Sequence, residues 1–121
     1  MRYEKYLLKN MNSYSKMYIF VKKSIPDHKC LAIAHGVLMC HLKFAAKVAY
    51  LEWINNSFRK VVCEVTDNEF DDLKLEYNYE NGDKDYVVVT ESALDNKEIG
   101  IVFCPRKDWP EHFKKYPLMK I

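Results

Sequence analysis

The sequence predicts a single α/β domain with a mixed four-stranded sheet flanked by helices. Three observations support this fold class: four short apolar runs, a long apolar pattern of helical period between the first two, and a length suited to one core. The chain has 121 residues, of which 49% are hydrophobic and 14% aromatic, so it can bury enough apolar surface to offset the entropy of ordering. The domain is expected over residues 16–121, and the polar segment 1–15 is expected to be loosely ordered.

A strand followed by a long helix is predicted for the first half of the domain. Residues Met17–Val21 form an apolar run typical of a strand. From Lys29 to about Asn55, apolar residues recur every three or four positions, which predicts one continuous helix. Gly36 inside this helix costs about 1 kcal/mol relative to alanine, which indicates close approach of a neighbouring element or ligand. The predicted buried face of the helix includes Leu31, Leu38 and Leu42.

A second strand and a short acidic helix are predicted next. The strand is Lys60–Val65, which is rich in valine. Thr66 and Glu69 match a capping box, so a helix is expected to start there. A strand over Leu73–Tyr79 is the alternative, because apolar residues alternate there and an Asn-Gly turn follows.

Two further strands and a short helix complete the predicted fold. The third strand is Tyr86–Val89, the fourth is Ile99–Phe103, and Trp109–Tyr116 is predicted to form a short helix. Helices separate the first three strands, which are therefore expected to be parallel.

Composition and cysteine spacing exclude several functional classes. The formal net charge is only +2, so total charge does not indicate a nucleic-acid-binding protein. The four cysteines and four histidines have no metal-ligand spacing, and no metal or cofactor is expected. Each cysteine lies in an apolar pattern, as free buried thiols in a reducing compartment do. With no signal peptide or membrane span, the chain is predicted to be cytoplasmic.

A candidate site lies where the first strand passes into the long helix. His28 and Lys29 precede the helix, where a cation next to free backbone N–H groups suits a phosphate or a carboxylate. His35, two turns into the helix, suits a general base because its ordinary pKa is close to neutral. The structural alternative for His28 and Lys29 is an exposed loop pair with no role. The alternative for His35 is a half-buried histidine bonded to backbone.

Residues after the third and fourth strands extend this candidate site. Glu91 follows an apolar strand and suits a carboxylate that orients Lys29 or a water, with hydroxyl contacts from Thr90 and Ser92. Arg106 offers bidentate phosphate contacts, and an aromatic residue can stack on a base. Trp109 is the aromatic residue near Arg106. The alternative to base stacking is that Trp109 only anchors the loop. Lys29, His35, Glu91 and Arg106 are predicted to converge on one edge of the sheet.

Residues 28–36 read His-Lys-Cys-Leu-Ala-Ile-Ala-His-Gly, and residues 116–121 read Tyr-Pro-Leu-Met-Lys-Ile. The first resembles the loop lysine and following helix of the type 2 peptidyl-tRNA hydrolases, and the second is similar to that family's closing tail. The resemblance spans about Lys16 to Ile121. It implies a peptidyl-tRNA hydrolase type 2-like domain, a nucleotide or tRNA-like ligand, and Lys29, His35 and Glu91 as catalytic residues.

The chain departs from this family at two positions. The helix glutamine is replaced by Ala32 or Ile33, and the aspartate after the third strand by Thr90-Glu91. The first functional hypothesis is therefore a divergent domain that binds a nucleotide or tRNA end, with weak or absent metal-independent hydrolysis. The alternative is a catalytically idle, phage- or mobile-element-encoded protein that sequesters a nucleotide or binds a protein. The sequence leaves open whether the protein forms a homodimer.

Overall fold

The computed structural model describes residues 14–78 and 85–120. The strands and helices are Lys16–Lys22 (β1), Lys29–Phe44 (α1), Val48–Asn55 (α2), Arg59–Val65 (β2), Asp67–Asn78 (α3), Tyr86–Glu91 (β3) and Lys97–Phe103 (β4). Short 3-10 turns cover Pro26–His28, Ser92–Leu94 and Glu111–Lys115. Of the segment 1–15 that is predicted to be loosely ordered, residues 1–13 lie outside the described residues, as does the Asn-Gly turn.

The α/β class and the mixed four-stranded sheet are confirmed. The strand order is β2-β1-β4-β3, with β1 parallel to β2, and β4 antiparallel to both β1 and β3. The first three strands therefore run in the same direction, as predicted, but only β1 and β2 are parallel neighbours. Because β4 runs antiparallel to its two neighbours, β1 and β3, its carboxyl end lies at the edge of the sheet where β1 and β3 begin.

Hydrophobic cores lie on both faces of the sheet, because side chains alternate along each strand. Met17, Ile19 and Val21 of β1 face the layer of α1 and α2. Tyr18 and Phe20 face the opposite layer, where α3 and the segment after β4 contribute an aromatic cluster. The helices thus cover the sheet on both sides.

The predicted continuous helix is wrong, since the chain forms two helices instead. Lys47 has an extended backbone, with φ −76° and ψ 140°, and it precedes α2. On one straight helix, Trp53 would lie nine residues and about half a turn away from Phe44, facing solvent. The break turns α2 so that Trp53 is buried, and its indole N–H donates to the carbonyl of Arg59 at 2.8 Å.

The buried face of α1 also differs from the prediction. Its buried residues are Ala32, Gly36, Cys40 and Phe44, spaced four apart. Leu31, Leu38 and Leu42 are exposed instead. The first three of these buried residues are small because this part of the helix lies close to the sheet. A Cβ atom at Gly36 would overlap the Val102 methyl Cγ2 and lie 3.1 Å from Val89 Cγ2, which confirms the predicted close approach.

Two reciprocal hydrogen bonds, each from a backbone N–H to a side-chain oxygen, confirm the capping box and the acidic helix. Thr66 N–H donates to Glu69 Oε1 at 2.8 Å, and Glu69 N–H donates to Thr66 Oγ1 at 3.2 Å. The helix α3 follows directly, so the strand alternative is wrong over the described residues. Two N–H donors at the start of the helix are satisfied by this pair.

Residues 117–119 lie along the outer edge of β2. Glu64 N–H donates to the carbonyl of Pro117 at 2.9 Å, and Met119 N–H donates to the carbonyl of Val62 at 2.9 Å. These bonds flank an antiparallel bridge between Cys63 and Leu118. The segment therefore covers part of an edge that the four-stranded sheet leaves unpaired.

All four cysteines are free thiols, and three of them are buried. Burial raises the pKa of Cys40 to about 12 and those of Cys63 and Cys104 to about 11. Cys30 is exposed, which corrects the prediction that each cysteine is buried. Within the described ranges, every helix is too short or too polar to cross a membrane.

Candidate functional site

The Lys29 ammonium is held by a carboxylate of the same chain. Lys29 begins α1 near the end of β1, and its Nζ donates to Glu64 Oε1 at 2.8 Å. The same oxygen accepts from the backbone N–H of Lys120 at 3.0 Å. The hydrogen bond from Lys29 is the main cause of the lowered pKa of Glu64. The fold itself thus compensates the charge predicted to face a ligand.

The carboxylate of Glu91 caps a turn. Glu91 ends β3, is buried, and accepts from the N–H of Ala93 at 3.0 Å. Lys29 is bonded to β2, and β2 and β3 are the two outer strands of the sheet. Three inter-strand spacings of about 4.8 Å separate these strands by about 14 Å. The structure therefore does not bring Glu91 to Lys29.

The other residues predicted near this edge have separate surroundings. His28 is half-buried and precedes α1 without capping it through its side chain. His35 is exposed on α1, about 120° around the helix from Lys29. Thr90 and Ser92 are both exposed. These positions form no shared cluster of catalytic groups.

Arg106 and Trp109 lie at the opposite end of the sheet, so the predicted convergence of four residues on one edge is wrong. The backbone of Arg106 exchanges two hydrogen bonds with that of Lys16, at 3.0 and 3.2 Å. Lys16 begins β1, whereas Lys29 follows its other end. Seven residues of extended strand separate the two ends by about 20 Å. The antiparallel direction of β4 causes this separation.

Three cationic residues form a row at this end of the sheet. Lys16 is the register partner of Arg59 on β2 and of Arg106 after β4. Directly paired residues on neighbouring strands point to the same face, with Cα atoms about 5 Å apart. We call these three residues the basic edge. Over residues 14–78 and 85–120, none of them makes an ion pair.

Aromatic residues position two of these cations. The Arg106 guanidinium lies over the Trp109 ring at 5.3 Å, and the indole N–H donates to the carbonyl of Lys16 at 3.2 Å. Phe113 stacks on the same indole at 5.4 Å. Trp109 therefore anchors the loop that carries Arg106. The Arg59 guanidinium lies 4.6 Å from the centre of the Tyr14 ring.

A strained residue immediately precedes the basic edge. Phe58 has φ 53°, a left-handed conformation that is unusual for a bulky side chain, and its ring is half exposed. The Lys60 ammonium lies 3.2 Å from the centre of this ring. Partial burial lowers the pKa of Lys60. Backbone strain concentrates at functional sites in proteins, and here it adjoins Arg59.

Sequence reasoning missed Lys16 and Arg59 as site residues. A signal was present: Lys16 and Arg59 each begin a strand, and Arg106 comes three residues after another. These positions share an edge only if β4 is antiparallel to β1 and adjacent to it. That pairing depends on the strand order, which local patterns do not encode.

The described residues contain no cluster of three or more His, Cys, Asp or Glu side chains that could hold a metal ion. The fold places the chain in the class of small α/β domains with a mixed sheet. No protein-family model and no curated protein matches the chain. The resemblance to the type 2 peptidyl-tRNA hydrolases therefore stays a prediction.

Proposed function

We propose that this protein binds a phosphate-bearing ligand, a nucleotide or the single-stranded end of an RNA, through the basic edge. The observation that carries the proposal is the row formed by Lys16, Arg59 and Arg106 at one end of the sheet. Within residues 14–78 and 85–120, none of these three side chains makes an ion pair. Like charges directly opposite each other on neighbouring strands are destabilising. An anionic ligand would remove this repulsion.

The chemistry of the three side chains favours phosphate. Arginine donates two parallel hydrogen bonds to a phosphate, and lysine adds a point charge. The aromatic contacts of Arg59 and Arg106 restrict both guanidinium groups before a ligand arrives, which lowers the entropic cost of binding. Neighbouring cations along one edge suit successive phosphates of a single strand.

Hydrolysis is the less supported part of the proposal. The predicted catalytic Lys29 is bonded to Glu64, and the predicted catalytic Glu91 caps a turn. The resemblance of residues 28–36 is the reason for choosing a tRNA 3′ end as the first ligand to test. A catalytically idle, protein-binding role is the second candidate, and the exposed apolar residues of α1 favour it.

The test is fluorescence anisotropy with a labelled single-stranded RNA that ends in the tRNA 3′ sequence. Three phosphate contacts predict a slope of log affinity against log salt of about −2, which is about a 20-fold loss between 50 and 200 mM salt. Arg59→Gln and Arg106→Gln should each weaken binding about tenfold and reduce the slope by about 0.7.

The matched control is Lys97→Gln. Lys97 is exposed and begins β4, at the opposite end of the sheet from the basic edge. The control removes one positive charge, as each arginine substitution does. If RNA binds only at the basic edge, the control should leave both the affinity and the salt slope unchanged. Equal effects of all three substitutions, or no binding of RNA or nucleotide at low salt, would contradict the proposal.

A further inference from the structure

The side of α1 that faces away from the sheet is apolar. Leu31, Leu38 and Leu42 are exposed there, Leu38 to 58% and Leu42 to 74%. At 3.6 residues per turn, the three leucines lie within about 40° of one another around the helix, opposite the buried Cys40. The helix therefore has an apolar stripe on each side, and the described part of the chain covers only the one that faces the sheet.

This outer stripe also lacks charge. Among the exposed residues of α1, only Lys43 in the last turn is charged. A surface designed for solubility is about 25–35% charged, and a helix that is apolar on all sides is normally buried. A surface depleted of charge with leucines at its centre has the composition of an interface core.

The spacing of the stripe makes it complementary to itself. Leu31, His35, Leu38 and Leu42 are separated by four, three and four residues, a pattern that reads the same in both directions. An antiparallel copy of the helix would place Leu31 against Leu42 and His35 against Leu38, twice. Two-fold symmetric dimers require such a self-complementary patch, and an uncharged stripe does not repel its own copy.

We propose that the outer stripe of α1 is a homodimer interface, formed by antiparallel packing of α1 against α1 of a second copy. The sixteen residues of α1 form a helix about 24 Å long and 10–12 Å wide. In projection this strip is about 250 Å², well below the roughly 800 Å² that each partner gives to a stable interface. The dimer is therefore weak and reversible.

Sedimentation equilibrium over a concentration series tests the interface. Leu38→Glu should abolish dimerisation, because it buries a charge twice at the centre of the contact. Leu75→Glu is the matched control: Leu75 is exposed to 56%, is also helical, and lies on α3, across the sheet from α1. It should leave the dimer intact. Circular dichroism melting checks that both variants fold.

Two results overturn the dimer. One is a dimer that survives Leu38→Glu. The other is a parent chain that stays monomeric up to about 1 mM, the weakest association worth assigning. If the chain is monomeric and Leu38→Glu lowers its Tm more than Leu75→Glu does, another segment of the same chain covers the stripe.

Cysteine cross-linking tests the antiparallel register. Leu31→Cys and Leu42→Cys proteins are made with Cys30→Ser, because Cys30 is the exposed native thiol. In the proposed register, position 31 of one copy meets position 42 of the other, whereas like positions are about 16 Å apart along the axis. A short bismaleimide should link the mixed proteins and neither protein alone. Efficient linking of either protein alone would refute the antiparallel packing.

Discussion

Gly36→Ala should destabilise the fold, although alanine is the better helix former. The intrinsic preference favours alanine by about 1 kcal/mol. Against it, the new Cβ would overlap the Val102 methyl Cγ2 and lie 3.1 Å from Val89 Cγ2. Both valines are buried in the sheet and cannot swing into solvent. Overpacking of this kind costs about 1–3 kcal/mol, so the expected net loss is up to about 2 kcal/mol.

Urea denaturation of a small set of variants measures the two contributions separately. Ala34→Gly reports the helix preference alone, since Ala34 is exposed on the same helix; it should cost about 1 kcal/mol. Val102→Ala removes the obstructing methyl groups, so Gly36→Ala should be less harmful in that background. A coupling energy of about 0.5–3 kcal/mol is expected for two residues in contact.

One result would refute this reasoning. If Gly36→Ala raised stability by about the amount that Ala34→Gly lowers it, the helix preference alone would account for both. The close approach of α1 to β4 would then not be the reason for glycine at this position. Absence of coupling between Gly36→Ala and Val102→Ala would lead to the same conclusion.

Three further predictions concern hydrolysis, the hydrogen bond between Lys29 and Glu64, and the thiols. Turnover of a model peptidyl-tRNA should stay below about 1 per second, the lower end of ordinary enzyme rates, because Lys29 is bonded to Glu64 and Glu91 caps a turn. Faster turnover would contradict this expectation. The hydrogen bond from Lys29 is the main cause of the lowered pKa of Glu64. The ionised Glu64 carboxylate therefore stabilises the fold fully at pH values above its ordinary pKa of about 4.5, and this stabilisation is lost as the pH falls through the lowered pKa. Urea titrations at several pH values should show Glu64→Gln losing this acid dependence, and an unchanged dependence would contradict the assignment. A thiol reagent should modify Cys30 quickly in the native protein, and equally fast reaction at the three buried cysteines would contradict their raised pKa values.

Local patterns predicted the elements because each depends on neighbouring residues. The β-branched runs indicated the strands, and Thr66 with Glu69 indicated the start of α3, where both hydrogen bonds form. The break at Lys47 had no comparable signal. Alanine and lysine are good helix formers, and the reason for the break is the burial of Trp53, a tertiary effect.

The candidate site was less predictable, because it depends on which strands are neighbours. Arg106 lies close to Lys16 only through the insertion of β4 between β1 and β3. The pairing of the Lys29 ammonium with the Glu64 carboxylate is equally hard to predict from sequence, because the two residues are 35 positions apart. Residue type and spacing indicated cations suited to phosphate, but not which cations share an edge.

The segment that pairs with β2 also protects the protein from aggregation. An unpaired edge strand is a template on which another chain can add its own strand, the first step towards aggregation. Residues 117–119 occupy part of that template through two backbone hydrogen bonds, and Lys120 fixes the end of the segment on Glu64. A fusion or a cleavage that displaced this segment would therefore expose unpaired backbone groups along β2. The protein should then lose solubility although the core of the domain is intact.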